Sequence, residues 1–192
     1  MTNQRKVIVH IATSADGYIA RTDGDLEWLT ARPAPAGFYG IDAFMRSVDT
    51  KVLGRKTYEA SVRMGAKFGS KERTVVFSHN PRPKGAPPTV EFTDEPVGVF
   101  LNRLREGQGK NIWLMGGGDI IASFLDAQAI DEFVISVVPI FIGDGIPLIA
   151  RRHLHVPLSL RSTEKFDDGV VQLRYAVQGR DAEFTSTQRS DV

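Results

Sequence analysis

One stretch constrains the fold more than any other. Asn111-Ile112-Trp113-Leu114-Met115 runs into Gly116, Gly117 and Gly118, then Asp119, then the apolar segment Ile120-Ile121-Ala122-Ser123-Phe124-Leu125. It reads as a buried strand that stops at the glycines and restarts as a helix, with Ile120, Ile121, Phe124 and Leu125 on one apolar face. Glycines at such a junction let another backbone, or an anion, come close, because no Cβ intervenes. The free N–H groups and positive dipole end of the helix then make a natural phosphate site. The alternative is a tight strand-to-helix turn with no ligand. A second phosphate-binding element would decide between the two.

Gly54-Arg55-Lys56-Thr57 is the candidate for that element. A glycine ends the strand Lys51–Gly54, two cations follow, and a hydroxyl sits in the first turn of the next helix. Backbone N–H groups, Arg55, Lys56 and Thr57 could jointly bind a diphosphate. Taken alone, each element also fits a plain solvated helix start. Two of them, each at the C-terminal end of a strand, favour a dinucleotide, because ligands of open α/β sheets gather at that edge. Ser78 and His79 close the next strand at the same edge. With Arg55 and Arg82 near them, they suit a ribose 2′-phosphate. The acidic residue that selects NAD in G-x-G-x-x-G sites has no counterpart here, so charge favours NADPH over NADH.

The remaining chain frames these elements as alternating strands and helices. Lys6–Ala12 is a β-branched first strand containing His10, which reads as structural. The polar loops Ser14–Ala20 and Thr22–Leu29 follow, the second carrying Trp28. Beyond Pro33 and Pro35 comes a short helix, about Ile41–Val48, with Ile41, Phe44, Met45 and Val48 on its inner face. Arg73–Ser78 and Thr89–Thr93 are strands, and Pro96–Glu106 is a helix. Glu132–Ile142 is a long strand broken or bulged at Pro139. Leu158–Phe166 and Val170–Val177 flank Asp167-Asp168-Gly169, a hairpin signal. The alternation predicts a mainly parallel sheet with helices on both faces and an antiparallel hairpin at its edge. Residues 1–178 are expected to form one domain, and 179–192 a polar, disordered tail.

Composition narrows the function classes. The 192 residues are 42% hydrophobic and 24% charged, with a net charge of +1. No concentrated basic stretch offers a nucleic-acid footprint, and no apolar run approaches the length of a membrane span. The chain has no cysteine, which removes disulfides, thiolate metal sites and a cysteine nucleophile. No metal site is expected. A cysteine-free chain without a signal peptide fits a reducing, cytoplasmic setting.

The order of S-x-D-G-x-I after strand one, G-R-K-T-Y-E, and M-G-G-G resembles the dihydrofolate reductase superfamily. The segment Pro139-Ile140-Phe141-Ile142-Gly143-Asp144-Gly145-Ile146-Pro147-Leu148 is more particular. It resembles the C-terminal reductase domain of the bifunctional riboflavin-biosynthesis deaminase–reductase. The resemblance runs from about Lys6 to Val177 and implies a three-layer α/β/α fold of the dihydrofolate reductase type.

It also implies a cofactor site. Ala12 and Ile19 match the nicotinamide side, Gly54, Arg55, Lys56 and Thr57 the phosphate-contacting turn, and Ser78 and His79 the adenosine-phosphate end. Gly116, Gly117 and Gly118 match the glycines over the pyrophosphate, with Asp119 and Ile120 continuing them. Trp28 matches a cofactor-contacting Trp of the riboflavin reductases. On the substrate side the matching positions are Asp16, in a loop-shaping role, Phe38, Tyr39, Asp42 and Met115.

Two departures stand out. The helix carboxylate of dihydrofolate reductases falls at Phe38 or Tyr39, and only Asp42 lies near as an acid. The glutamate that the riboflavin reductases carry before the glycines is Met115 here. The resemblance therefore implies an NADPH-dependent reductase that delivers hydride to a C=N or C=O bond of a small pteridine or pyrimidine. The uracil reductase of riboflavin biosynthesis is the pattern, and the proton comes from Asp42, Tyr39 or water. The alternatives are a dihydrofolate reductase proper and a non-catalytic NADPH-binding protein. The riboflavin reductases also imply a homodimer, for which Ile135–Ile142 and the terminal hairpin could supply an interface, unless that run is simply core.

Overall fold

A computed structural model of the chain describes residues 5–33, 38–69, 72–153 and 155–178. Strand β1 (Val7–Ser14) lies near the centre of an eight-stranded sheet, where β-branched residues with both faces covered are expected. On one side it pairs in parallel with β6 (Asn111–Gly116), which continues to β3 (Val48–Gly54), β4 (Arg73–Phe77) and β5 (Val90–Thr93), all parallel. On the other side β1 pairs in parallel with β7 (Glu132–Val138). Beyond it, β10 (Val171–Val177) runs antiparallel to β7, and β9 (Leu158–Lys165) forms the edge, antiparallel to β10. The short strands β2 (Tyr18–Ala20) and β8 (Ile146–Pro147) form a separate pair.

Helices cover both faces. Phe100, Leu101 and Leu104 of α4 (Val97–Glu106) and Ile120, Ile121 and Phe124 of α5 (Gly118–Asp126) pack on Val7, Val9, Val52, Ile112 and Leu114. On the opposite face, Tyr58 of α3 (Arg55–Arg63) packs on Leu53, Val76 and Val90. There too, Phe44 of α2 (Ile41–Ser47) stacks on His10, ring centroids 4.5 Å apart, and meets the Trp113 ring edge-on at 5.5 Å. The result is the expected α/β/α layering with a mainly parallel sheet and a C-terminal antiparallel hairpin.

Beyond shifts of one or two residues at element ends, the structure differs from the sequence reading in four places. The strand that follows α2 begins at Val48 rather than Lys51. The segment read as a polar loop holds a one-turn helix, α1 (Glu27–Thr30), and the pairing of β2 with β8 was not foreseen. The strand expected to reach Ile142 ends at Val138, because Pro139 has no N–H to offer the ladder. Residues 139–145 instead form a loop, tied by the Ala15 N–H to the Ile140 carbonyl (2.8 Å) and by the Ile142 and Gly143 N–H groups to the Asp16 carboxylate. Residues 179–192, expected to be a tail, lie outside the described residues. Among the described residues, no helix is long and apolar enough to cross a membrane.

Candidate active site

The register brings both glycine elements to one edge of the sheet. β3 pairs Leu53 with Gly116 on β6 and Gly54 with Phe77 on β4, so Gly54 and Gly116 end two adjacent strands and Ser78 directly follows the end of the next, β4. Gly54 caps α3 and Gly117 caps α5, and neither helix start has a side chain hydrogen-bonded to it. The first N–H groups of both helices therefore remain available to a ligand. The two starts nearly touch. A Cβ at Gly117 would lie 3.3 Å from Thr57 Oγ1 and 3.7 Å from Ile19 Cδ1, and one at Gly54 would lie 3.7 Å from Ile120 Cγ2. Ile120 is buried in the core and forms the floor between the two glycine turns. Gly118 allows a different approach. A Cβ there would strike the Pro147 carbonyl oxygen at 2.5 Å, and its own carbonyl accepts the Ala150 N–H at 3.2 Å. Gly118 and Asp119 line a cleft of about 290 Å³ with Thr22, Gly145, Ile146, Pro147 and Ala150.

Cations mark the β4 end. Arg55 donates to Glu59 at 2.6 Å, to the Pro81 carbonyl at 2.7 Å and to Ser78 Oγ at 3.4 Å. Its guanidinium and that of Arg82 both lie over the Phe92 ring. His79 and Lys56 are exposed beside them.

At the β1 end, Ala12 and Ile142 pack against a cluster of buried Trp28, Tyr39, Val138 and Val170. Trp28 is 6% exposed, and its Nε1 is buried with no hydrogen-bond partner among the described residues. A buried indole N–H normally has an acceptor, so this one favours a ligand group beside Ala12. The loop after β1 is held from below. Asp16 binds two backbone N–H groups of the 139–145 loop, and hydrogen bonding from Ser14 and from those groups holds its carboxyl below the usual range.

The substrate-side positions separate. Tyr39 sits in a left-handed conformation (φ 56°) within the turn Phe38–Gly40, and its hydroxyl donates to Asp168 in the β9–β10 turn. Burial and that carboxylate push the Tyr39 hydroxyl above its ordinary value. Arg32 donates to the Asp168 carbonyl at 2.7 Å, and the Tyr39 hydroxyl and Arg32 hold the Asp168 carboxyl low. Phe38 opens the turn, and its side chain lies outside the described residues. Asp42 is exposed in the first turn of α2. Met115 packs beside Leu53 and Tyr58, on the α3 side of β6.

Two polar side chains at this end were not singled out in the sequence. Ser136 on β7 and Gln172 on β10 pair with each other, and Ser136 pairs with Ala12 on its other side. Their signal was a polar residue at an inward position of each mostly apolar strand, on the face that also carries Glu132 and Arg174.

The comparisons agree with this architecture. YwjB of Bacillus subtilis is 37% identical over 173 residues, covering 90% of this chain and 98% of that protein. A crystal structure from Shewanella sp. PV-4, assigned to riboflavin biosynthesis, is 30% identical with a TM-score of 0.78, over 91% of this chain and 99% of that one. The dihydrofolate reductase of Enterococcus faecalis, solved in complex with NADP(H), shares the fold at 18% identity and a TM-score of 0.66, over 92% of this chain and 98% of that one. The family model of the RibD C-terminal domain matches residues 5–172, and the chain belongs to that family.

Proposed function

We propose that the chain is an NADPH-dependent reductase acting on a small pyrimidine- or pteridine-type heterocycle. The observation that carries the reading is the pair of glycine-capped, side-chain-free helix starts on adjacent strands, flanked by Arg55 and Ser78 on one side and Ala12 on the other. Three strand spacings separate β4 from β1, about 14 Å, so a ligand that touches both ends is elongated. The solved Enterococcus enzyme of the same fold holds NADP(H), and the Shewanella relative is assigned to riboflavin biosynthesis. Both support this assignment.

In this reading the adenosine phosphate lies at Arg55, Ser78 and His79, within reach of Lys56. The diphosphate lies over the N–H groups of Thr57 and of Gly117 and Gly118, and the nicotinamide lies against Ala12, Ile19 and the Trp28 N–H. Bound there, the cofactor supplies a hydride to a C=N or C=O carbon. The chain's own residues bind, orient and exclude water. The hydroxyl of Tyr39 is committed to Asp168, which leaves Asp42 or water to deliver the proton.

The test is a titration of the purified protein with NADPH and, separately, NADH, followed by tryptophan fluorescence. Preference for NADPH is the expected result. Binding of neither would reduce the glycines to plain turns and remove the reductase reading.

A further inference from the structure

We propose that Ser136 and Gln172 recognise the substrate through the N–H/C=O edge of a lactam ring, an inference that rests on the reductase reading above. Ala12, Ser136 and Gln172 are direct cross-strand partners on β1, β7 and β10, so their side chains stand in a row on one face of the sheet. That face is the one Tyr39 covers. Gln172 Nε2 donates to the Tyr39 carbonyl oxygen and to Ser136 Oγ, both at 3.0 Å.

The Tyr39 carbonyl can only accept, which fixes the orientation of the Gln172 amide. Nε2 faces Tyr39 and Ser136, and both its hydrogens are used. Two groups are left over. The Gln172 carbonyl oxygen has no donor, and the Ser136 hydroxyl hydrogen has no acceptor, among the described residues. Ser136 is 3% exposed, so water does not freely satisfy it. A buried donor left unpaired costs stability, and such groups are retained where a ligand completes them.

A free donor beside a free acceptor is the complement of a ring lactam, which presents its own C=O next to N–H. A pyrimidinone or a pterin offers that edge. A diamino ring, with an amino group in place of the carbonyl, would set a donor against the Ser136 hydroxyl hydrogen. The row also fixes the distance to the chemistry. Ser136 is one strand away from Ala12, about 4.8 Å, so a ring held by the pair lies beside the proposed nicotinamide position.

The test uses the full chain saturated with NADP⁺ and two probes, 6,7-dimethylpterin and 2,4-diamino-6,7-dimethylpteridine. The wild-type complex is expected to bind the pterin at least about tenfold more tightly, the discrimination of one or more buried hydrogen bonds. Ser136→Ala removes the free hydroxyl but leaves the Gln172–Tyr39 bond. It is expected to cut the preference for the pterin at least about threefold while the NADPH Kd and the Tm stay near wild type. The remaining preference is that of the Gln172 carbonyl oxygen for the pterin N–H over the bare ring nitrogen of the diamino probe. Equal affinity for the probes in the wild type, binding of neither, or an unchanged preference in Ser136→Ala overturns this inference while cofactor binding stands. Absence of NADPH binding overturns the reductase reading, and this inference with it.

Discussion

Gly117 and Thr57 face each other across the sheet edge so closely that a Cβ on the glycine would stand 3.3 Å from the threonine Oγ1. The gap lies between two helix starts whose N–H groups have no side-chain cap. Gly117 has φ −77°, so its backbone would accept alanine without strain. The Gly117→Ala methyl would occupy the space that the proposed reading gives to the cofactor diphosphate. NADPH affinity is expected to fall at least about tenfold, one or two charge-assisted hydrogen bonds, with little change in Tm. Wild-type affinity in Gly117→Ala would mean that nothing binds between the helices.

In the proposed reading, Arg55 is the residue that would distinguish a 2′-phosphate from a bare ribose. It reaches Ser78 and the Pro81 carbonyl from the first turn of α3, at the end of the edge away from β1. Arg55→Ala removes one cation from that end and leaves both glycine turns in place. The NADPH Kd should rise roughly ten- to a hundredfold, while NADH changes by less than about threefold. Equal losses for both nucleotides would place Arg55 at the diphosphate instead. Because Arg55 also pairs with Glu59 at 2.6 Å, Glu59→Gln serves as a control for the ion pair alone.

How much of this was legible in the sequence depends on the range of the interactions involved. The glycine turns at Gly54 and Gly116–Gly118 announce themselves locally, since each needs only a strand end, missing side chains and a helix start. The sheet order was less accessible: β6 lies between β1 and β3 although some sixty residues separate it from β3 in the chain. Nothing in Val48–Gly54 indicates which strand it will meet. The β2–β8 pair was missed for the same reason, being three residues and two residues long and held by partners more than a hundred positions apart. Ser136 and Gln172 could be seen as polar residues in mostly apolar strands, but not as neighbours of each other or of Ala12. Register supplied that.

Tyr39 and Asp42 were both candidates for the proton, and the structure separates them. The Tyr39 hydroxyl is spent on Asp168, and the Tyr39 carbonyl on Gln172, so the residue ties the entrance of α2 to the β9–β10 hairpin. Tyr39→Phe should cost about 1.5–3 kcal/mol of stability, the range for a hydrogen bond to a charged group, and leave NADPH oxidation within a few fold. Asp42→Asn should leave stability nearly unchanged and slow NADPH oxidation at neutral pH roughly a hundredfold, the lower end for loss of a general acid. Urea melts and initial rates on the two variants separate the roles. Unchanged rates in Asp42→Asn would assign proton delivery to water.

His10 sets the pH dependence of the fold above the range of the carboxylates. Its ring stacks on Phe44 beneath α2, and burial, aided by the Arg174 charge, lowers it from 6.5 to about 4. The unfolded chain takes up this proton below pH 6.5, whereas the folded protein resists it until about pH 4. Stability contributed by the neutral ring is therefore complete above pH 6.5 and is lost as pH falls towards 4, a total of ~3 kcal/mol. The carboxyls of Asp16, Glu132 and Asp168 behave differently. Each is held below its ordinary value of 3.8 or 4.5, so their stabilisation is lost only as pH falls below those values. For Glu132, burial raises the carboxyl, but the bonds from Lys6 and Arg174 outweigh it. Between pH 5 and 6.5 the slope thus belongs largely to His10, and His10→Gln, which does not titrate, should flatten the Tm–pH curve there while lowering the plateau through loss of the stack. Parallel curves for the two proteins over that interval would show that His10 takes up its proton as easily folded as unfolded.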